Sequence, residues 1–494
     1  MKRLLGLVAA VIVAGPACTV GPDYTRPTIT TPDAWYEAHV QGVAEGSAHV
    51  QTWWTVFDDR MLDELIHDAQ ANNLDIQVAF FRIVEARAIR GIVAGDRYPQ
   101  VDVTAEASTA EPSESTTGLT ERVDTFSFGA GLAWEIDLFG RIRRSVEAAT
   151  AQYEASVEDY RDVLVTLLGD VAINYLDVRT LQARLHYARS NIEAQRESLA
   201  LTGDRFKAGL TSALDVAQAE SNLARSEAEV PALEAGLEAA LNRLEVLVGR
   251  QPGALHERLA DVQPIPLPPD EVAMGLPAEL LRQRPDVRRA ERELAAQTAR
   301  IGVATADLYP RLSLTGFFAS DAGVFGDVAT GKSVTWGIGI PLRWQVFSGG
   351  KVQNQIRAEQ ARADQAFKLY EQSVLLALEE VQTALAAYAQ ERLRVGQLRR
   401  ATDATQRAVD LVRTQYISGL TNFQNVLDTQ RTLFQLQQEL ASSEGTRVQS
   451  LVDLYRALGG GWDIENPDVT PRPAGLEQDA EAGRVYTILP PSDS

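Results

Sequence analysis

The chain has 494 residues, 45% of them hydrophobic and 23% charged, with 47 Lys and Arg against 67 Asp and Glu for a net charge of −20. That apolar content excludes a chain disordered throughout. The acidic balance excludes nucleic acid as the main partner, because binding phosphates needs a basic surface. The single cysteine excludes an intrachain disulfide and a cysteine zinc site. His39, His49, His67, His186 and His256 show no H-x3-H or H-E-x-x-H spacing, so neither metal nor cofactor is expected. The one long apolar run, Leu4 to Ala17, follows Lys2 and Arg3. A bilayer-spanning helix needs about 18–20 apolar residues, so 1–17 reads as a signal peptide. No later run reaches that length, which excludes a permease of several spanning helices.

The signal ends in Gly15-Pro16-Ala17-Cys18, which resembles a bacterial lipoprotein cleavage site. That resemblance implies a diacylglycerol on Cys18 (a lipoprotein carrying palmitate) and, with Thr19 rather than Asp next, sorting to the outer membrane. Ordinary cleavage after Ala17 also leaves Cys18 first, but unmodified.

Beyond the signal the chain resembles itself. Tyr98-Pro99 fall on Tyr309-Pro310 at an offset of 211; Val171 falls on Val381 and Gly209-Leu210-Thr211 on Gly419-Leu420-Thr421 at 210. The organisation expected is an N-terminal segment 18–71, a first repeat 72–249, a proline-rich link 250–282, a second repeat 283–459 and an acidic tail 460–494. Each repeat opens with a short helix.

Two strands follow in each repeat, with period 2. From Val101 to Ala107 every odd residue is apolar and every even one polar; Phe126, Phe128, Ala130, Leu132, Trp134 and Ile136 alternate in the same way. The second repeat gives Leu312 and Leu314, then Val334, Trp336, Ile338, Ile340, Leu342, Trp344 and Val346. Strands are expected at about 100–109, 124–137, 311–320 and 333–347. One face fits lipid and the other a wet lumen, as in an outer-membrane barrel; a half-buried soluble sheet alternates in the same way. Four strands cannot close a membrane barrel, since bacterial barrels start at about eight. The chain must therefore oligomerise, and two copies or three both satisfy the count.

Each pair of strands leads into a helical hairpin, over about 140–249 and 350–459. Stepping alternately 4 and 3 from Tyr153 to Phe206 meets thirteen apolar residues in sixteen, and the frame from Ala363 to Tyr416 scores the same. A 3.5-residue period held over seven heptads specifies a coiled coil, and 54 residues of helix span about 80 Å. Gly209 and Gly419 break the helices, and a second helix returns.

Several motifs together resemble a known family. Cys18-Thr-Val-Gly-Pro-Asp-Tyr24-Thr-Arg-Pro27 is similar to the mature start of the TolC-like, NodT-type outer-membrane factors of efflux pumps. Trp134-Glu-Ile-Asp-Leu-Phe-Gly-Arg141 resembles their strand-to-helix junction, and Gly275-Leu276-Pro277, Leu281 to Asp286, Ala299 to Gly302 and Tyr309 to Arg311 their second half. The resemblance implies an α+β membrane protein: a homotrimer whose twelve strands form an outer-membrane β-barrel, continuous with a periplasmic coiled-coil barrel of twelve helices. It implies no enzyme and no catalytic residue. It also implies docking onto a periplasmic adaptor and a transporter of the resistance-nodulation-division type in the inner membrane. The alternatives are an exit duct for type I protein secretion and, in another class, a structural coiled-coil envelope protein.

In the family the hairpin turns constrict the resting tunnel. The matching positions for a gate are Asp215, Tyr416, Asp428 and Arg431, and the turns Gly209, Leu210, Thr211, Gly419, Leu420 and Thr421 are the expected adaptor contact. TolC itself has Arg at the position of Thr421 and Asp at that of Asn425, so the latch is wired differently here. Without the family, Asp428 and Arg431 are an i,i+3 surface pair and Tyr416 a coiled-coil core residue. Finally, Gly326 to Ser333 satisfies the phosphate-loop pattern G-x4-G-K-S. The period-2 segment after it offers no helix N-terminus, so it reads as a surface loop.

Overall fold

The computed structural model describes residues 19–29, 32, 43–45, 51–111, 122–267, 272–274 and 283–463. The signal segment 1–17, Cys18 and residues 464–494 of the expected tail lie outside them, as do parts of the 18–71 and 250–282 segments. In chain order the elements are β1 (Val43–Glu45), a 3-10 turn (Trp53–Phe57), α1 (Arg60–Asn72), α2 (Leu74–Gly95), β2 (Gln100–Ala110), β3 (Val123–Ile136), α3 (Arg141–Lys207), α4 (Ala213–Leu247), β4 (Val272–Met274), α5 (Pro285–Ala306), β5 (Arg311–Ala322), β6 (Val334–Gly339), β7 (Leu342–Arg343), α6 (Lys351–Ile417) and α7 (Phe423–Ala457). By contacts the chain divides into two units. One holds residues 1–28, 82–156 and 289–371; the other holds 29–81, 157–288 and 372–494.

The first unit contains the antiparallel sheet, in the order β2-β3-β5-β6, with β7 also paired to β5. Register carries the alternation across all its strands. Val103 pairs with Ala130, Ala130 with Phe318 and Phe318 with Trp336, so this row is apolar from edge to edge, with Ser320 a polar residue on the same face between Phe128 and Val334. Thr104, Gly129, Ala319 and Thr335 form the matching row on the other face. The apolar face is uncovered: Val103, Phe128, Phe318, Trp336 and Ile338 are all exposed. Where one strand over 333–347 is expected, the structure has two pieces divided at Pro341. Proline has no N–H for the ladder, and its carbonyl still accepts from the Ser313 N–H at 3.1 Å. Phe317 breaks the polar row, lying so close over Gly337 that a Cβ there would meet its ring at 2.6 Å.

At the ends of the strands the two halves use one device. Trp134 donates its indole N–H to the Arg97 carbonyl at 2.9 Å, and Trp344 donates to that of Leu308 at 3.0 Å.

The second unit is helical and holds α1, α4, α7, residues 157–207 of α3 and residues 372–417 of α6. α3 and α6 each have 67 residues, about 100 Å of helix, and α4 and α7 have 35 each. Toward its C-terminal end α3 buries a single heptad seam: Leu185, Ala188, Ile192, Gln195 and Thr202. Phe206, the last position of the expected seam, is exposed. Between Leu167 and Gln182 burial spreads to two faces, taking in Leu168, Ala172, Tyr175, Leu176 and Arg179. Flanking segments satisfy the polar groups there. Tyr175 donates to Asp59 at 2.6 Å, Arg179 to the Asp261 carbonyl at 2.8 Å and Gln182 to that of Leu259 at 2.7 Å.

The return helices end in parallel ways. Asn73 donates to the Leu247 carbonyl at 2.9 Å, and Arg284 to that of Ala457 at 2.6 Å. Gly249 (φ +69°) lies against Asn72, where a Cβ would meet the carbonyl oxygen at 2.3 Å. In the last turn of α4, the fully buried Glu245 carboxylate accepts from the N–H groups of Gly253 and Leu255, just beyond the helix, at 2.8 and 2.7 Å. His256 lies between Glu238, at 2.8 Å, and Glu245, at 3.2 Å.

The bond to Glu238, helped by that to Glu245, raises the His256 imidazole above its ordinary value of 6.5. The stabilisation is therefore complete below that value and is lost as pH rises through the raised one. The melting temperature of the purified protein should fall as pH rises above about 6.5, and His256→Asn should flatten that fall. An equal slope in the variant would exclude the linkage.

Candidate functional site

The hairpin turns are built by the same rules twice. α3 ends in a Schellman turn: the Leu210 N–H reaches the Arg205 carbonyl at 2.9 Å and the Gly209 N–H that of Phe206 at 2.9 Å. α6 ends likewise, with Leu420 on Gln415 at 2.8 Å and Gly419 on Tyr416 at 3.0 Å. Gly209 and Gly419 have φ of +77° and +73°, a region that costs other residues about 1 kcal/mol or more. Leu210 and Leu420 are left exposed at the turns.

Asp215 is engaged locally. It closes a capping box with Ser212 at the start of α4 and accepts from the Thr211 hydroxyl. Those bonds, the one from Thr211 foremost, hold its carboxyl below the usual carboxylate range. Thr421 pairs with the Asn425 amide at 2.8 Å, so the two departures from TolC bond to each other. Asp428 accepts from Gln424 at 3.0 Å and lies 3.6 Å from Arg431, both side chains half exposed. The structure therefore does not join Asp215 to Asp428 or Arg431 within one chain.

It does join Tyr416 to a residue that sequence reasoning missed. Arg205, on α3, donates to the Tyr416 and Ile417 carbonyls at 3.0 and 3.1 Å, capping α6. Its guanidinium lies 4.7 Å from the centre of the Tyr416 ring. Tyr416 is buried with Phe423, Val426, Leu427 and Ala219, and its hydroxyl has no hydrogen-bond partner. A basic residue in the last turn of a helix was the available signal, but nothing in the sequence says that it caps a different helix.

Cys18 lies outside the described residues, but those after it are held within the first unit. The Val20 N–H donates to the Phe139 carbonyl at 3.1 Å. The nearly buried Arg144 donates to the Val20 and Gly21 carbonyls, both at 3.2 Å, and to Asp23 at 2.6 Å. Gly21 and Gly302 touch so closely that a Cβ on Gly21 would meet Gly302 Cα at 2.4 Å.

Among the described residues no three His, Cys, Asp or Glu are grouped to hold a metal ion, and no helix is long and apolar enough to cross a membrane. The phosphate-loop pattern at 326–333 ends in a strand: Ser333 donates to the Asp327 carbonyl and β6 follows. No helix N-terminus follows the loop to receive a phosphate.

A sheet with one uncovered apolar face, combined with two long helical hairpins, defines the class of outer-membrane channel proteins. Comparison with known proteins agrees. The profile of the outer membrane efflux protein family matches residues 65–250 and 276–460. Outer membrane protein OprJ of Pseudomonas aeruginosa is 33% identical over 463 residues, 90% of this chain and 94% of that one. Nodulation protein T of Rhizobium leguminosarum bv. trifolii is 30% identical over 450 residues, 90% and 95% of the two chains. The solved outer-membrane channel OprN superposes with a TM-score of 0.84 at 38% identity, covering 90% of this chain and all of that one. The chain belongs to the outer membrane efflux protein family, and its place is the outer membrane.

Removing the Arg205 cap should loosen the end of α6. In Arg205→Leu, hydrogen exchange across 410–425 should accelerate about five- to thirtyfold, as expected for the loss of about 1–2 kcal/mol of cap and ring contact. Asp215→Ala should act instead across 208–220. Identical exchange maps for the two variants would contradict the assignment.

Proposed function

We propose that this chain is the outer-membrane exit duct of a tripartite efflux pump, a passive channel that receives small molecules from a periplasmic adaptor and an inner-membrane transporter. One observation carries the reading. The sheet has an exposed apolar face, an opposite polar face and two outer strands, β2 and β6, that each pair on one side only. An open edge in lipid costs several kcal/mol for each unpaired backbone group. Three copies joined edge to edge supply twelve strands and a closed barrel around a wet lumen. Two copies would supply the eight that bacterial barrels minimally use; the resemblance of the sequence motifs to TolC-like outer-membrane factors favours three.

The domain boundaries read from the sequence fit the same scheme. The parallel contacts of Trp134 and Trp344, and of Asn73 and Arg284, support a duplicated unit, as do the two matches of the family profile. The anchored run from Val20 to Asp23 supports a lipid on Cys18, since it holds the chain just after that residue beside the end of β3.

The hairpin turns are the proposed inner end of the duct. Asp428 and Arg431 have only local partners in one chain, which leaves them available across a trimer axis. Asp215 holds its turn in shape, and Tyr416 with Arg205 locks two helices together. The exposed Leu210 and Leu420, on Gly209-Leu210-Thr211 and Gly419-Leu420-Thr421, are the proposed adaptor contact.

Neutralising Asp428 and Arg431 together, as Asp428→Asn with Arg431→Gln, should raise single-channel conductance in planar bilayers and relieve block by divalent cations. Unchanged conductance and block would remove the gate assignment. Gly209→Trp and Gly419→Trp should abolish efflux in cells while the yield of trimer stays the same. Loss of both together would mean a folding defect and no adaptor contact.

A further inference from the structure

The first unit has a half-open cavity of about 810 Å³ where its strands meet its helices. Its size suits a small solute. Its lining is basic: Arg300, Arg311, Arg343 and Lys351, against Asp307 and Glu359. Both carboxylates are already taken. Asp307 pairs with Arg311 at 2.5 Å. The nearly buried Glu359 accepts from Gln297 at 2.7 Å, Gln355 at 2.8 Å and Arg362 at 2.6 Å. Arg300 donates to the neutral Gln297 at 3.0 Å. Arg343 and Lys351 have no carboxylate partner among the described residues. Arg311 and Arg343 are also directly opposed in the ladder, on the polar face. Like charges in that position repel.

The other half of the chain shows what is missing. At the start of α3, Arg141 is bound by both oxygens of Glu135, each at 2.8 Å. At the start of α6 the matching residue is Lys351, 210 positions on, and Gln345 stands where Glu135 did. No acidic residue occupies the first turn of α6, so its positive dipole end adds to the same field.

We propose that this cavity is an anion-binding site on the lumen wall, taking a soluble oxyanion or carboxylate-bearing solute. It rests on the reading that the polar face lines an aqueous duct. That face is turned away from the apolar surface suited to lipid, so the ligand is a solute and not a lipid headgroup. In an otherwise acidic protein the site forms a basic belt at the foot of the barrel.

Inorganic phosphate is the probe, with full-length protein in planar bilayers. Millimolar phosphate should reduce wild-type current. Arg311→Gln with Arg343→Gln and Lys351→Gln should weaken that block at least about tenfold, as expected for three charges lost from a water-filled site. The same change should move the reversal potential in a KCl gradient toward cation selectivity. Lys351→Gln alone, outside the sheet, should show a smaller shift of the same sign should the triple variant fail to assemble. A conducting channel whose phosphate block and reversal potential ignore these substitutions overturns the site and leaves the duct reading intact. A wild-type protein that forms no pore overturns both.

Discussion

The pairing of backbone groups at the two free edges of the sheet is the constraint on which the rest depends. β3 and β5 are saturated on both sides; β2 and β6 are not. In water such edges invite any strand. In lipid they are prohibitive. The apolar face makes lipid the right solvent for one side of the sheet, and in the proposed assembly further copies of the same sheet pair the edges and keep every face in register. A one-residue slip at the seam would turn Trp336 and Ile338 into the lumen. The proposed trimer is thus a way of finishing a sheet that one chain leaves open.

A second constraint follows where a period of 2 must pass into a period of 3.5. Each crossing is short and tied to backbone. Trp134 and Trp344 bond to carbonyls of the turns ahead of β2 and β5. Phe139 stacks on Tyr309 with ring centres 4.7 Å apart. The chain after Cys18 is threaded here too, held by Arg144 and by the contact of two glycines. Removing Arg144 would leave carbonyls and Asp23 without their donor. The cost falls mainly on the Val20 and Gly21 carbonyls, because Asp23 itself is exposed to solvent.

Much of this was legible in the residues. Alternation placed the faces of the sheet because lipid and lumen each demand one kind of side chain. Heptads placed the long helices, and glycine marked the turns because only glycine takes their positive φ cheaply. Asp215 was legible in another sense: Ser212-x-x-Asp215 is a capping pattern, and its role in the structure is that cap. The interruption at Pro341 was visible as a proline but hidden by the apolar residues on either side. The double burial of α3 between Leu167 and Gln182 was not legible, because the segments that cover its second face, near Asp59 and Leu259, come from distant sequence. Arg205 was missed for the same reason. Its partners are carbonyls, and a carbonyl leaves no trace in the residue type that carries it.

That last point bears on how the tip can both hold and release. The exposed pair of Asp428 and Arg431, 3.6 Å apart, is worth at most about 1 kcal/mol and is screened by salt. It suits a contact that must be exchanged. Arg205 is held by two carbonyls and by the face of the Tyr416 ring, contacts made within one chain. In the proposed gate, a tip with a carbonyl-capped lock within each chain and weak ionic contacts left for its neighbours opens between chains without unravelling within them. Opening is then a rigid displacement of whole hairpins. The energy to drive it need only match a few exposed ion pairs, a scale that docking of a partner on the exposed turn leucines can supply.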